Sequence, residues 1–261
     1  MQRPKSRNLI SRLRRVMGCA ALAAVLVGCH GQKKRGAAGG LPPLAASSWL
    51  VPVEVPGFGP ARVAVPLGAK TPKPLLIALH GDHDRPEWTC GSYRHVVGSR
   101  AFILCPEGAA RPDRDFTLGP SDDTSTELRK ALPALKSRFK AYLSPGPVVL
   151  AGLGPSVDQA IELALKEPSF FSLLLLVDGS TKRFTLPAAT RFGSAGGKRV
   201  LVVCSAGACE SDVEQRLRAL APGGVATRIV RVERGHGLDA EVVARLRSEF
   251  PWLVSEEPRF R

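Results

Sequence analysis

A short apolar strand that breaks at glycines and turns straight into a helix constrains this chain more than any other feature. The stretch reads Val-Val-Leu-Ala-Gly-Leu-Gly-Pro-Ser over residues 148–156, and a helical pattern continues from there to Lys166. Strands that lead directly into helices are typical of parallel sheets, because the helix carries the chain back to the start of the next strand. The stretch therefore predicts an α/β fold.

Similar patterns extend this prediction over most of the chain. Strand-like runs lie at residues 49–53, 61–65, 75–79, 101–105, 148–151, 173–177, 200–204 and 227–232, and helical patterns lie at 86–97, 124–139, 156–166, 211–221 and 239–249. Two early strands followed by alternating strands and helices predict an antiparallel start and then a mostly parallel sheet with helices on both faces. The run at 173–177 is apolar without alternation, which predicts a strand that is covered on both sides.

The first 28 residues predict a targeting segment outside the fold. Six basic residues precede an apolar stretch at 16–27 that is too short to span a bilayer, and Gly28 and Cys29 follow. This order resembles a bacterial lipoprotein signal peptide, which would leave Cys29 as the lipid anchor; a secretory signal with a chance cysteine is the alternative. His30, in place of aspartate, favours the outer membrane of a Gram-negative cell. We expect a signal peptide at 1–28, a flexible tether at 29–48 and one domain at 49–261.

The charge of the chain favours no nucleic-acid partner. The formal net charge is +14, and it falls to about +8 when the basic targeting segment is removed. The remaining sequence has neither an arginine-rich helix nor the interleaved aromatic residues of a nucleic-acid surface. We expect contact with the membrane through the lipid and a small-molecule ligand or envelope partner, and no motif indicates a cofactor.

Four cysteines would remain in the mature domain once Cys19 and Cys29 are set aside: Cys90, Cys105, Cys204 and Cys209. An even number in an exported domain favours disulfides over free thiols. Of the three possible pairings we favour Cys90–Cys105 and Cys204–Cys209, because each would join a strand end to a neighbouring segment. A zinc site is the alternative, but the spacing lacks the closely spaced pairs of zinc ribbons.

Three motifs in chain order resemble those of the α/β-hydrolase fold. Leu79-His80-Gly81 resembles the loop that supplies one oxyanion donor, the turn at 152–156 resembles the nucleophile elbow G-x-S-x-G, and Gly235-His236-Gly237 resembles the loop of the catalytic histidine. The resemblance covers residues 75–252. It implies a pocket at the carboxyl ends of the strands and a hydrolase that acts on ester or amide bonds.

The departures from this motif predict that catalysis is impaired or absent. Gly154 occupies the position of the nucleophilic serine and has no side chain to react. The following residue, Pro155, lacks the backbone N–H that the oxyanion hole of the family uses. Ser156 lies two positions further on, and we interpret it as a residue of the helix start. The alternative is an active ester or peptide hydrolase in which Ser156 is the nucleophile.

The partners of such a nucleophile are less clear in the sequence. His236 would act as the general base of the enzyme alternative. Asp178, Glu210 and Asp212 are candidates for the acid that orients it, and Asp178 is placed at a strand end facing the expected pocket. None of the three stands out from the spacing.

A cluster of polar residues follows the third predicted strand. A weaker alternative is a metal-dependent hydrolase that uses His80, His83, Asp84 and His236. We favour a polar loop in which Asp84 caps the following helix, because the further motifs of such enzymes are missing. We expect Trp88 to pack into or beside the pocket, or simply in the core.

Overall fold

A mixed sheet of eight strands forms the centre of the domain. The computed structural model describes residues 40–205, 209 and 211–261. Its strands are β1 (Leu50–Val53), β2 (Ala61–Ala64), β3 (Leu75–Leu79), β4 (Phe102–Cys105), β5 (Ala109–Ala110), β6 (Phe116–Thr117), β7 (Val149–Leu153), β8 (Leu173–Val177), β9 (Arg199–Cys204) and β10 (Ala226–Arg231). The order in the sheet is β1-β2-β4-β3-β7-β8-β9-β10, and β5 and β6 form a separate ribbon.

The directions of the strands confirm the predicted architecture. β2 runs antiparallel to β1 and β4, whereas the six strands β4, β3, β7, β8, β9 and β10 are parallel to one another. All five residues of β8 are buried. Leu174 and Leu176 contribute to the core on one face, and Leu173 and Leu175 contribute to the core on the other. Successive side chains of a strand point to opposite faces, so a strand covered on both sides must be apolar throughout.

Helices cover both faces of this sheet. They are α1 (Pro86–Val97), α2 (Ser121–Phe139), α3 (Ser156–Lys166), α4 (Leu186–Ser194), α5 (Val213–Arg218) and α6 (Ala240–Leu253). Buried residues of α1 and α6 join the core on one face, and those of α2, α3, α4 and α5 join the core on the other. Within the described part of the chain, no helix has both the length and the apolar character needed to cross a bilayer.

Two disulfides, one from a helix and one from a loop, link to strand ends and have the pairing that the sequence favoured. Cys90 in α1 bonds to Cys105 at the end of β4, and Cys204 at the end of β9 bonds to Cys209. All four cysteines are thereby used. No described cysteine is left to bind zinc or to act as a thiol.

The domain includes residues that the sequence predicted as part of the tether. The backbone N–H of Leu41 donates to the carbonyl oxygen of Lys70, and that of Leu44 donates to the carbonyl oxygen of Ala69. The side chain of Leu44 is buried in the core. Residues 40–48 therefore belong to the domain, and the predicted tether boundary at residue 48 is too late. The signal peptide, Cys29 and the rest of the predicted tether lie outside the described residues.

The parallel strands all open their carboxyl ends on one edge of the sheet. The loops that follow β3, β7, β8, β9 and β10 meet at this edge, which is where open α/β sheets bind their ligands. The ribbon of β5 and β6 belongs to a hairpin at residues 108–119, and backbone hydrogen bonds between Asp84 and Phe116 join it to the loop after β3. The predicted oxyanion-loop and catalytic residues follow these strands: His80 and Gly81 follow β3, Ser156 follows β7, Asp178 follows β8 and His236 follows β10.

Candidate functional site

The turn between β7 and α3 has the shape of an elbow with an empty tip. Gly154 has a left-handed backbone with φ 57°. Its N–H donates to the carbonyl oxygen of Val177 over 2.8 Å, and its carbonyl oxygen accepts from the N–H of Val157 over 3.1 Å. A Cβ atom at residue 154 would meet nothing within 4 Å. A side chain at this position would therefore point into open space.

Two other glycines allow this turn to pack tightly. A Cβ atom at Gly152 would lie 2.9 Å from the carbonyl oxygen of Ser156 and from the Cα atom of Val157. A Cβ atom at Gly179 would lie 2.3 Å from the carbonyl oxygen of Gly154. Real side chains do not approach so closely, so the contact between β7, β8 and α3 requires both glycines.

Ser156 lies inside the turn and not at its tip. It is the first residue of α3, and it is only 4% exposed. Its Oγ atom accepts a hydrogen bond from the N–H of Leu153 over 2.9 Å, and it lies 3.0 Å from the carbonyl oxygens of Leu79 and Leu153. The hydroxyl therefore stabilises the backbone of β3 and β7.

The expected oxyanion donors are missing or engaged. Pro155 has no N–H, and the N–H of Gly81 donates to the Oδ2 atom of Asp84 over 3.3 Å. The carboxylate of Asp84 also accepts from the N–H of Arg85 and from the hydroxyl of Thr89. Asp84 thus holds the loop after β3 against the first turn of α1. Arg85 is the N-cap of α1 and has no side-chain cap, so Asp84 caps no N–H inside this helix.

Asp178 contacts the histidine loop, but not the histidine ring. Its carboxylate accepts from the N–H and the hydroxyl of Ser205, both at 2.6 Å, and from the N–H of Gly237 at 3.0 Å. The side chain of His236 is exposed. Among the residues that the structure describes, no hydrogen bond joins the imidazole of His236 to Asp178 or to Ser156. The structure thus brings the three candidates to one edge without forming a triad.

The other two candidate acids do not change this result. Asp212 pairs with Arg216 at the start of α5 over 2.5 Å, and this ion pair lowers the pKa of its carboxyl group. Glu210 lies outside the described residues. The sequence could not choose among the three acids, because their positions depend on how neighbouring strands pack and not on spacing.

His80 is completely buried and is held by carbonyl oxygens. Its Nδ1 atom lies 2.7 Å from the carbonyl oxygen of Gly81, and its Nε2 atom lies 3.1 Å from that of Glu107. Beside it Glu127, only 1% exposed, accepts from the N–H of Glu107 over 2.8 Å. Burial raises the pKa of both glutamates. Sequence reasoning missed Glu127, although a glutamate four residues before Ala131 on the buried stripe of α2 is an unusual feature.

A cavity of about 230 Å³ lies beside the elbow. Its lining consists of His80, Gly81, Asp82, Thr117, Leu118, Pro155, Ser156 and Gln159. A hydrogen bond from Thr117 lowers the pKa of Asp82. A larger cavity of about 470 Å³ lies along β10 and α6, away from the elbow, so size alone does not identify the site. Trp88 is 58% exposed and lines neither cavity, so it is part of neither the pocket nor the core.

The structure does not assemble the predicted metal ligands. His80 is buried against carbonyl oxygens, whereas His83 is exposed and its Nδ1 atom lies 2.8 Å from Asp113. Within the described ranges, His83, Asp113 and Asp115 form the only group of three such side chains close enough to share an ion. His83 and Asp113 of this group are exposed and Asp115 is half-buried; the group lacks Asp84 and His236 and has Arg111 beside it.

Comparison with known proteins identifies the fold of the domain. No protein-family model and no curated protein matches the sequence. Among solved structures, a carboxylesterase from Mesorhizobium loti matches with a TM-score of 0.53 and 15% identity over 80% of this chain and 97% of its own. An S-formylglutathione hydrolase from Agrobacterium tumefaciens matches with a TM-score of 0.55 and 14% identity over 82% and 99%. The domain has the α/β-hydrolase fold.

A third solved structure is also similar, but over only part of its own length. An uncharacterized protein from Bacillus cereus matches with a TM-score of 0.60 and 13% identity over 73% of this chain, and the match spans only 62% of that protein. Structural matches at identities this low establish the α/β-hydrolase fold but not an activity, so any activity must be argued from the residues of the site. In this α/β-hydrolase domain, those residues are Gly154 at the elbow tip, Pro155 after it, and a histidine loop without a hydrogen-bonded triad.

Proposed function

We propose that this chain is a lipid-anchored protein of the bacterial cell envelope whose α/β-hydrolase domain binds a small ligand and does not catalyse serine hydrolysis. The observation that carries the catalytic part is the elbow tip, where Gly154 offers open space in place of an oxygen nucleophile. Acyl transfer by this fold requires a side-chain nucleophile that a base activates.

Further features of the site support the loss of catalysis. Pro155 removes one oxyanion donor, and loss of one such donor alone costs on the order of a hundredfold or more in rate. The hydroxyl of Ser156, two residues after the tip, is bound to backbone atoms of Leu79 and Leu153. A general base must reach the proton that it removes, and His236 makes no such contact with Ser156 in the described structure.

The cavity beside the elbow supports a binding role. Asp82 contributes the one carboxylate of this lining, and Thr117 and Gln159 add polar groups. The cavity has no lysine or arginine in its lining. A volume of about 230 Å³ is below the roughly 300–1,000 Å³ of typical ligand pockets, so the cavity would hold only a very small molecule. An acceptor such as the Asp82 carboxylate would select a ligand with hydrogen-bond donors.

The envelope location rests on the N-terminal sequence. Basic residues, an apolar stretch, Gly28 and Cys29 follow in the order of a lipoprotein signal, and His30 favours the outer membrane. Replacement of Cys29 by serine is expected to move the protein from the detergent fraction of cell membranes to the soluble fraction. Retention in the membrane fraction would contradict the anchor and leave the catalytic proposal untouched.

The catalytic proposal is tested by labelling with a fluorophosphonate probe, which reacts with activated serines. Purified mature protein is expected to remain unlabelled, and so is its Ser156→Ala variant. Folding is checked in each sample by a cooperative thermal transition. Labelling of the natural protein that disappears in Ser156→Ala would overturn the proposal and make Ser156 a nucleophile in an active hydrolase.

The Gly154→Ser variant is the matched control. Its hydroxyl would stand at the elbow tip, where a Cβ atom meets nothing within 4 Å. We expect this variant to stay unlabelled as well, because no described base is hydrogen-bonded near the tip. Labelling of this variant alone would show that the site lacks only its nucleophile.

A further inference from the structure

The buried ring of His80 faces two hydrogen-bond acceptors. Its Nδ1 and Nε2 atoms lie 2.7 Å and 3.1 Å from the carbonyl oxygens of Gly81 and Glu107. A neutral imidazole carries one N–H and can donate to only one of these oxygens, whereas the charged ring donates to both. Since the ring is fully buried, no water can replace the missing donor.

The peptide unit that His80 contacts is also held from the opposite side. The N–H of Glu107 donates to the Oε1 atom of Glu127, and the N–H of Gly108 lies 3.3 Å from its Oε2 atom. His80 follows β3 and Glu127 belongs to α2, so two separate elements hold the backbone at residues 107–108. Burial raises the pKa of Glu107 and of Glu127, and the neighbouring ring of His80 partly offsets this effect.

The charged surroundings of this cluster come from several elements. On its own loop, His80 is followed by Asp82, His83 and Asp84, whose side chains bind Thr117, Asp113 and Thr89, respectively. Around Glu107 lie Arg62 of β2, Glu87 of α1 and Glu54. The cation of Arg62 lies 3.5 Å from Glu107 and partly offsets its negative charge.

The held peptide is the start of the hairpin at residues 108–119. Thr117 and Leu118 of this hairpin line the cavity beside the elbow. Gly108 and Gly119 line a second cavity of about 260 Å³ on its other side. The hairpin is thus the wall between the two cavities, and the contact at Glu107 fixes one end of that wall.

We propose that His80, Glu107 and Glu127 form a pH-dependent clasp, which holds the hairpin at 108–119 against the elbow cavity when His80 is charged and loosens it when His80 is neutral. Imidazole groups change charge between about pH 5 and pH 8. The neutral ring keeps the shorter contact to Gly81, so the contact to Glu107 is the one that is lost. The consequence for ligand access rests on the proposed binding function, whereas the clasp itself does not.

Hydrogen exchange of the purified full-length mature protein tests the clasp. The measured quantity is the ratio of the protection factors of the amides at residues 107–118 to those of β8, each corrected for intrinsic exchange. We expect this ratio to fall about tenfold between pH 5.5 and pH 8, which is the effect of losing one buried charged hydrogen bond. His80→Gln is expected to abolish this dependence. His83, whose exposed ring contacts Asp113, is the matched control, and His83→Gln is expected to keep the dependence. A ratio that does not change with pH would overturn the proposal.

A second measurement covers the case in which His80→Gln does not fold. The measurement is nitrogen NMR of the natural protein labelled at its histidines. We expect one buried ring to have both of its nitrogens protonated at pH 5.5 and only one of its nitrogens protonated at pH 8. A single neutral form of that ring at both values would overturn the clasp. Neither measurement needs a ligand, so failure to find one would count against the proposed function and not against the clasp.

Discussion

Two glycines that face each other across the elbow differ in whether the surrounding atoms leave room for a side chain. At Gly179, a Cβ atom would lie 2.3 Å from the carbonyl oxygen of Gly154 and from the Cβ atom of Val157. At Gly154, a Cβ atom would meet nothing within 4 Å. Packing demands glycine at the first position, while the second has room for the side chain that a hydrolase would need. The turn therefore keeps the shape of a nucleophile elbow, while its tip carries no side chain.

The strongest test of this contrast places alanine at both positions. Gly179→Ala is expected to lower the free energy of unfolding by about 3 kcal/mol, because the methyl group overlaps backbone and Val157. Gly154→Ala is expected to cost about 1 kcal/mol, because only its left-handed backbone is strained. Urea denaturation with both disulfides intact measures the two values. Equal losses would contradict the distinction between a packing glycine and an open tip.

The second test concerns the carboxylate that joins the loops after β8, β9 and β10. Asp178→Ala is expected to lower the free energy of unfolding by about 2 kcal/mol, because Ser205 and Gly237 lose their acceptor. Ser205→Ala removes only one of these hydrogen bonds and is expected to cost about 1 kcal/mol. Urea denaturation compares the two variants, and a larger loss for Ser205→Ala would show that Asp178 does not organise this junction.

The third test sharpens the distinction between structure and chemistry within the elbow. Ser156→Ala is expected to lower the free energy of unfolding by about 1 kcal/mol, because Leu153 loses an acceptor for its N–H. Ser248→Ala on the exposed face of α6 is the control and is expected to change stability little. Similar values for the two serines in urea denaturation would mean that the hydroxyl of Ser156 is not needed by the fold.

The smallest expected effect is on the pH dependence of stability. Burial raises the pKa of Glu127 above its ordinary 4.5, so the folded state holds this proton more tightly than the unfolded state. Its contribution is fully present below the unfolded pKa and is lost as pH rises through the folded pKa. Glu127→Gln is therefore expected to reduce the loss of stability between pH 4 and pH 7.

Glu162 provides the control of opposite sign. Hydrogen bonds from Ser121 and Lys166 lower the pKa of Glu162, so its contribution is present above the unfolded pKa and is lost as pH falls. Glu162→Gln is expected to reduce the loss of stability on acidification. Urea denaturation at several pH values measures both slopes, and a change of the same sign in the two variants would contradict the assignment for Glu127.

Local patterns were sufficient for most of the fold. The predicted limits of β3, β8, α1 and α3 agree with the structure, because their apolar periodicity and turn residues lie close together in the chain. α4 was missed. Its sequence contains Thr190 and Gly193, which are weak helix formers, and the helix is held by contacts such as the close approach of Gly193 to Gly223.

The features of the candidate site also fall into those that the sequence predicts and those that it does not. The order of the three motifs, the absent side chain at Gly154 and the missing N–H of Pro155 can be read from the chain. The contact between His80 and Glu107 joins residues 27 positions apart, and Glu127 lies 20 positions further on. No spacing rule connects these residues, because their proximity depends on how β3, β4 and α2 pack.

The sequence by itself determined the α/β architecture, the disulfide-bearing cysteines and the lack of a nucleophile at the elbow tip. These properties depend on residue types and on neighbours in the chain. Only the tertiary structure decided that Ser156 bonds to the backbone, that Asp178 binds Gly237, and that His80 is enclosed by two carbonyl oxygens. Each of these depends on the directions of side chains from different strands, which distance along the chain does not specify.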